Sequence, residues 1–235
     1  MKNKELLKIL LYRINLLNFF SKLRYRTYCL LKEGYKPKQF WDGWSDNYSR
    51  QKPQRRIDES HYWLLKKTGE LRPNTVLEIG CGFGRNLKFL MENLSYQPKL
   101  VGFDISESMI RKAKEGGSGK VLLGCGDITS LPFRDRSYDL VYTHATLMHV
   151  PEEHVSTAIQ ELKRVAKKYL IIVEETYWSK GNLRRGTFKP NEYTFIYDYK
   201  TLVSQSGLVI EEMREEKGDW NSIYLLCRKE ESENL

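Results

Sequence analysis

A chain of 235 residues, 40% hydrophobic and 29% charged, has material for one domain of ordinary core size plus an appendage, and too little for a second full domain. Its net charge of +9 invites a nucleic-acid reading, yet residues 1–40 hold ten Lys or Arg against Glu5 and Glu33, which is +8 and leaves +1 for the remainder. Cys29, Cys81, Cys125 and Cys227 are scattered, without a C-x-x-C pair or histidines at metal spacing, so the sequence points to reduced thiols in a cytoplasmic protein and to no metal centre.

Residues 5–23 are apolar and free of Gly and Pro, which favours a helix. At about 100° per residue, Lys4, Lys8, Asn15, Asn18 and Lys22 share a narrow strip, opposite a broad face of Leu6, Ile9, Leu10, Leu16, Leu17, Phe20 and Leu23. Lys8, Arg13 and the asparagines interrupt the apolar run, which disfavours a transmembrane span, and the absence of an A-x-A-like cleavage site argues against a secretory signal. Two destinations remain for this arm. It packs on its own domain or a second subunit, or it lies peripherally at the inner membrane face with Lys22, Arg24 and Arg26 toward anionic headgroups. Next, Phe40–Tyr48 reads as a loop or short helix, and Asp58–Thr68 as a helix entering the first strand.

The stretch Val76-Leu77-Glu78-Ile79-Gly80-Cys81-Gly82-Phe83-Gly84-Arg85-Asn86 reads as a buried strand running into a glycine loop that opens a helix. Its G-x-G-x-G spacing differs from the G-x-G-x-x-G of dinucleotide sites, where the third glycine allows close helix packing beside a pyrophosphate. Arg85 occupies that last position, so the loop suits a nucleoside without a pyrophosphate better than NAD. A glycine turn with no ligand is the plain alternative. Two acids tilt the balance. Leu100-Val101-Gly102-Phe103-Asp104 ends in a carboxylate 24 positions past Gly80, near the spacing at which an acid meets a ribose. Gly126-Asp127-Ile128 follows 23 positions after Asp104 and sets a second acid at the next strand end, able to accept the exocyclic amine of adenine.

Glycine loop, first acid and second acid together resemble the class I S-adenosylmethionine-dependent methyltransferases, in the small-molecule branch similar to quinone-biosynthesis enzymes. Leu131-Pro132-Phe133, Ser137–Val141 and Leu147-Met148-His149-Val150-Pro151 are similar to that family's fourth-strand region. The resemblance covers about residues 41–228 and not residues 1–40. It implies an α/β, Rossmann-like, seven-stranded, mostly parallel sheet with an antiparallel C-terminal hairpin. It also implies S-adenosylmethionine contacts at Glu78, Gly80, Cys81, Gly82, Gly84, Asn86, Asp104, Ile105, Asp127, Ile128 and either Thr143 or His144, with Trp44–Tyr48 as a flap over the methionine end.

Hydrophobic runs place strands near 75–79, 100–104, 120–124, 138–143, 169–174, 208–214 and 222–228, with helices at about 85–94, 106–115, 152–167 and 199–206. Residues 175–198 are long for a connection, and they mix Tyr177, Trp178, Phe188, Tyr193, Phe195 and Tyr197 with Lys180, Arg184, Arg185 and Lys189. They read as an acceptor lid, or alternatively as a basic loop over an aromatic mini-core. For a hydroxyl acceptor, His149 is the first candidate general base, with Glu174 or Glu175 behind it. Thr143-His144-Ala145-Thr146 replaces the Asn/Asp-Pro-Pro-Tyr of exocyclic-amine nucleic-acid methylases. The expected activity is O-methylation of a small-molecule, glycan-like or lipid-linked acceptor. RNA methylation tethered by the basic arm, and a non-catalytic cofactor-binding or partner-binding module, stand as alternatives.

Overall fold

The computed structural model describes residues 36–51, 57–116, 120–176, 188–189, 194–217 and 221–229. The arm over residues 5–23, Cys29, most of the expected lid and the turn at Gly218 and Asp219 lie outside the described residues. In chain order the elements are α1 (Pro37–Gln51), α2 (Glu59–Leu71), β1 (Thr75–Ile79), α3 (Arg85–Asn93), β2 (Lys99–Asp104), α4 (Glu107–Glu115), β3 (Leu122–Cys125), β4 (Tyr138–His144), a 3-10 turn (Leu147–His149), α5 (Glu152–Val165), β5 (Ala166–Thr176), β6 (Phe188–Lys189), β7 (Thr194–Phe195), α6 (Tyr199–Gln205), β8 (Leu208–Glu216) and β9 (Asn221–Lys229). Among the described residues no helix is long and apolar enough to cross a membrane.

Seven strands form one sheet in the order β3-β2-β1-β4-β5-β9-β8, and β6 pairs with β7 separately. From β3 to β5 every pairing is parallel, whereas β9 runs antiparallel to both β5 and β8. The expected C-terminal hairpin is therefore present, with its second strand inserted inside its first. Central parallel strands are covered on both faces, which is why β1 reads as an unbroken apolar run with Val76, Leu77 and Ile79 buried. One core cluster joins Leu77, Ile79 and Val141 to α5, and another joins Val76, Leu140 and Tyr142 to Trp63 and Leu64 of α2 and Leu87 and Leu90 of α3.

Besides shifts of about two residues, such as β3 at Leu122–Cys125 for an expected 120–124, two segments differ from the sequence reading. Phe40–Tyr48 belongs to a 15-residue helix, α1, and Pro37 at its first position fits the helical start because proline lacks only an N–H that would be unpaired there. At the other boundary α5 stops at Val165 and β5 begins at Ala166, although Ala166, Lys167 and Lys168 favour helix locally. Pairing of Ala166 with Tyr138 and of Tyr169 with Leu140 draws this stretch into the sheet.

Candidate functional site

The strand order reverses direction of growth at β1, whose neighbours are β2 and β4, and that crevice at the carboxyl ends of parallel strands is where α/β sheets bind ligands. A cavity of about 290 Å³ lies there, near the lower end of the range for small-molecule clefts. Its wall is assembled from four strand ends. Gly80, Cys81 and Gly82 follow β1, Asp104 and Ile105 end β2, Gly126, Asp127 and Ile128 follow β3, and His144 ends β4.

The glycine loop is shaped by its backbone. Gly80, Gly82 and Gly84 all take positive φ, of 76°, 52° and 80°. Gly80 N–H and Cys81 N–H donate to Phe103 O at 2.7 and 3.2 Å, pinning the loop to β2. A Cβ on Gly80 would stand 2.2 Å from Thr146 Oγ1, so the closeness of this loop to the segment after β4 requires glycine. Asp104 then braces the loop: Oδ2 accepts from Gly82 N–H at 2.7 Å and Oδ1 from Ser106 N–H at 2.8 Å. A carboxylate offers about four lone-pair sites, so each oxygen retains one for a ribose hydroxyl. Burial pushes the Asp104 carboxyl up, against the backbone hydrogen bonds that favour its charge. Asp127 is exposed at the cavity edge, with Oδ1 held by Thr129 N–H at 2.8 Å and Thr129 O–H at 2.7 Å.

Of the residues expected from sequence, Gly80, Cys81, Gly82, Asn86, Asp104, Ile105, Asp127, Ile128, His144 and His149 share the cavity wall. Glu78, Gly84, Thr143, Glu174 and Glu175 stand outside the described wall. Glu78 is fully buried behind the loop and takes a 2.6 Å hydrogen bond from Asn86 Nδ2, and burial pushes its carboxyl up to about 7. Gly84 forms the N-cap of α3. Glu174 was expected behind His149, and it is 1% exposed, with its two oxygens taking the N–H groups of Thr146, Leu147 and Met148 at 3.0–3.2 Å. Burial pushes it up to about 7 against those hydrogen bonds. A carboxylate so engaged holds the 3-10 turn that carries His149.

The wall also holds Trp41, Met109, Glu153 and His154, for which the sequence suggested no role. Trp41 and Tyr48 lie seven residues apart on one face of α1, with rings 5.6 Å apart, and both line the cavity. The segment Trp44–Tyr48, expected as a flap, lies within α1, and of its aromatic residues Tyr48 lines the cavity and Trp44 does not stand in the described wall. That helix is docked on α4: Asp42 Oδ1 accepts from Ser106 O–H at 2.7 Å and Ser108 N–H at 3.1 Å, Lys38 pairs with Glu107 at 2.7 Å and Lys112 with Asp46 at 2.6 Å. The Trp41 ring meets His149 edge-on at 4.8 Å. Near them Met109, Ile128, Val150 and Pro151 give the wall an apolar part, with Glu153 and His154 beside it.

A nucleoside with an amino-acid tail fits these residues. Paired acids at β2 and β3 suit ribose and base, and the glycine loop admits close backbone approach. Asn86 presents a buried Oδ1 that has no partner among the described residues.

Comparison with known proteins agrees with this geometry. Residues 76–169 match the family described as Methyltransferase domain. The chain is 29% identical over 150 residues to a probable chloroplastic tocopherol O-methyltransferase of Oryza sativa subsp. japonica, covering 60% of this chain and 40% of that protein. It is 32% identical over 113 residues to a demethylmenaquinone methyltransferase of Desulfitobacterium hafniense, covering 45% and 44%. Its matches thus span less than half the length of these relatives. In fold it is similar to magnesium protoporphyrin IX methyltransferase from Synechocystis PCC 6803 with bound SAH, at a TM-score of 0.58 and 22% identity over 75% of this chain and 83% of that one.

Proposed function

We propose that this chain, whose residues 76–169 match a methyltransferase-domain family and contribute to a Rossmann-like sheet, binds S-adenosylmethionine and methylates a hydroxyl of a small, ring-bearing acceptor. The observation that carries the reading is one cavity lined both by the glycine loop, Asp104 and Asp127 and by Trp41, His149 and the apolar residues of the β4–α5 segment. S-adenosylmethionine supplies an activated methyl group when bound, so the protein's work is alignment, solvent exclusion and handling of one proton.

Each residue has a task in that scheme. Asp104 takes the ribose hydroxyls and Asp127 the adenine amine, while Gly80–Gly82 allow the chain to lie close to the ligand. Trp41 and Tyr48, fixed by the docking of α1 on α4, cover the reacting end and keep water out. His149 accepts the acceptor's hydroxyl proton, oriented by the edge of Trp41 and by the turn that Glu174 clamps. The apolar wall suits a planar or lipid-like acceptor, in keeping with the tocopherol and demethylmenaquinone in the names of the similar proteins.

Tritiated methyl incorporation from labelled S-adenosylmethionine into fractionated lipid, glycan, RNA and small-molecule pools tests the reading. Label in a lipid or small-molecule pool supports it. Label in RNA alone, or cofactor binding without incorporation into any pool, overturns the acceptor assignment.

A further inference from the structure

The broad apolar face that helical spacing gives residues 5–23, from Leu6 to Leu23, has to leave water. Among the described residues, the large hydrophobic side chains that stand exposed are Tyr62 on α2, Leu122 on β3 and Met213 on β8. β3 and β8 are the opposite edges of the sheet, so these side chains form no contiguous patch that could receive such a face. A second copy offers the same surface, and pairing arm with arm would set two segments of net charge +8 side by side. RNA would answer the charge and leave the apolar face uncovered. An anionic bilayer answers both, with headgroups for the basic side chains and acyl chains for the apolar ones.

The basic run leads from that face to the cavity. Lys22, Arg24, Arg26, Lys32, Lys36 and Lys38 follow one another with Glu33 as the one acid among them. Lys36 and Lys38 are exposed where α1 begins, and Pro37 between them lines the cavity. On the same helix Phe40 and Trp44, both half-buried, stack at 6.1 Å, and Phe40 meets the wall residue Trp41 edge-on at 5.1 Å. Aromatic rings flanked by lysines suit the headgroup region of a bilayer. Residues 41–235 carry only +1, so the attraction to an anionic surface is concentrated on the side where α1 covers the cavity.

We infer that residues 1–40 bind an anionic phospholipid surface and hold the α1 side of the cavity against it, so that an acceptor dissolved in the bilayer reaches the cavity without crossing water. Membrane binding stands on the arm and on α1; delivery of the acceptor rests on the proposed methyl transfer.

Co-sedimentation of the full chain with vesicles tests the inference, using phosphatidylcholine alone and phosphatidylcholine mixed with phosphatidylglycerol. The wild type should sediment with the mixed vesicles and stay in solution with the neutral ones. Each basic residue at an anionic surface contributes about fivefold, so Lys22→Ala, Arg24→Ala and Arg26→Ala together should weaken binding by about 10² fold. Leu16→Glu with Leu17→Glu should abolish it, and both variants should keep the wild-type heat of S-adenosylhomocysteine binding. On mixed vesicles, hydrogen exchange should slow over residues 36–44 and stay unchanged at residues 94–99, at the amino end of β2 and away from the cavity. Equal binding to neutral vesicles, variants that bind like the wild type, or exchange that does not distinguish the two segments overturns the inference. So does a dimer in sedimentation velocity that Leu16→Glu with Leu17→Glu dissolves, or retention of the arm by RNA, where no vesicle binding occurs. Absent vesicle binding with an intact S-adenosylhomocysteine heat removes this inference alone, whereas vesicle binding without that heat removes the cofactor reading and the acceptor's delivery with it.

Discussion

Replacing Glu174 with glutamine isolates a buried carboxylate whose contribution to stability changes with pH. Glu174 is 1% exposed, and burial pushes it from an ordinary 4.5 to about 7 despite three backbone donors. A carboxyl raised on folding binds its proton more tightly in the native state, so its contribution is full below pH 4.5 and is lost as pH climbs through 7. At about 1.4 kcal/mol for each pH unit between the two values, the wild type loses about 3 kcal/mol across that window from this group. Glutamine does not titrate, so the variant lacks that loss. It also keeps only one carbonyl oxygen for the N–H groups of Thr146, Leu147 and Met148, which costs about 1–3 kcal/mol for each donor left unpaired. The variant should therefore be the less stable protein at pH 5, and its deficit should shrink by about 2.5 kcal/mol by pH 8. Urea unfolding of both proteins at pH 5, 6, 7 and 8 reads the difference directly. A deficit constant across that range would show that Glu174 is not a buried, strained carboxylate and would remove its clamp role.

Gly80→Ala places a Cβ 2.2 Å from Thr146 Oγ1 at a φ of 76°, so it should cost at least about 2 kcal/mol in urea unfolding and abolish nucleoside binding; a variant with wild-type stability would contradict the close approach. His149→Ala should lower turnover by about 10² to 10⁴ fold while S-adenosylhomocysteine affinity, measured by calorimetry, stays as in the wild type. Unchanged turnover would retire His149 as the base.

Much of this fold is written in periodicities that the packing then honours. The buried run Val76–Ile79, the carboxylates Asp104 and Asp127, and the glycine loop are local patterns, and the structure brings them to one crevice because parallel strands present their carboxyl ends side by side. Residues whose role depends on distant partners were less legible. Glu174 looked like a base because a carboxylate near a histidine can be one, and nothing in the linear sequence shows that three amide groups of residues 146–148 converge on it. Asp58–Thr68 was legible as a helix, yet the reach of Ser60 to His144, 84 positions away, exists only after α2 packs beside β4. The start of β5 at Ala166 failed for the opposite reason, since sheet pairing overrode a local helix preference.

The most direct measurement is calorimetric titration of the full chain with S-adenosylmethionine, beside Asp104→Asn and Asp127→Asn. Two acids that accept from ribose and base should each lose affinity on conversion to the amide, by at least about tenfold for Asp104, while the wild type binds one equivalent with measurable heat. A wild type that gives no heat, or an Asp104→Asn protein that binds as tightly as its parent, would contradict the assignment of this crevice to the methyl donor.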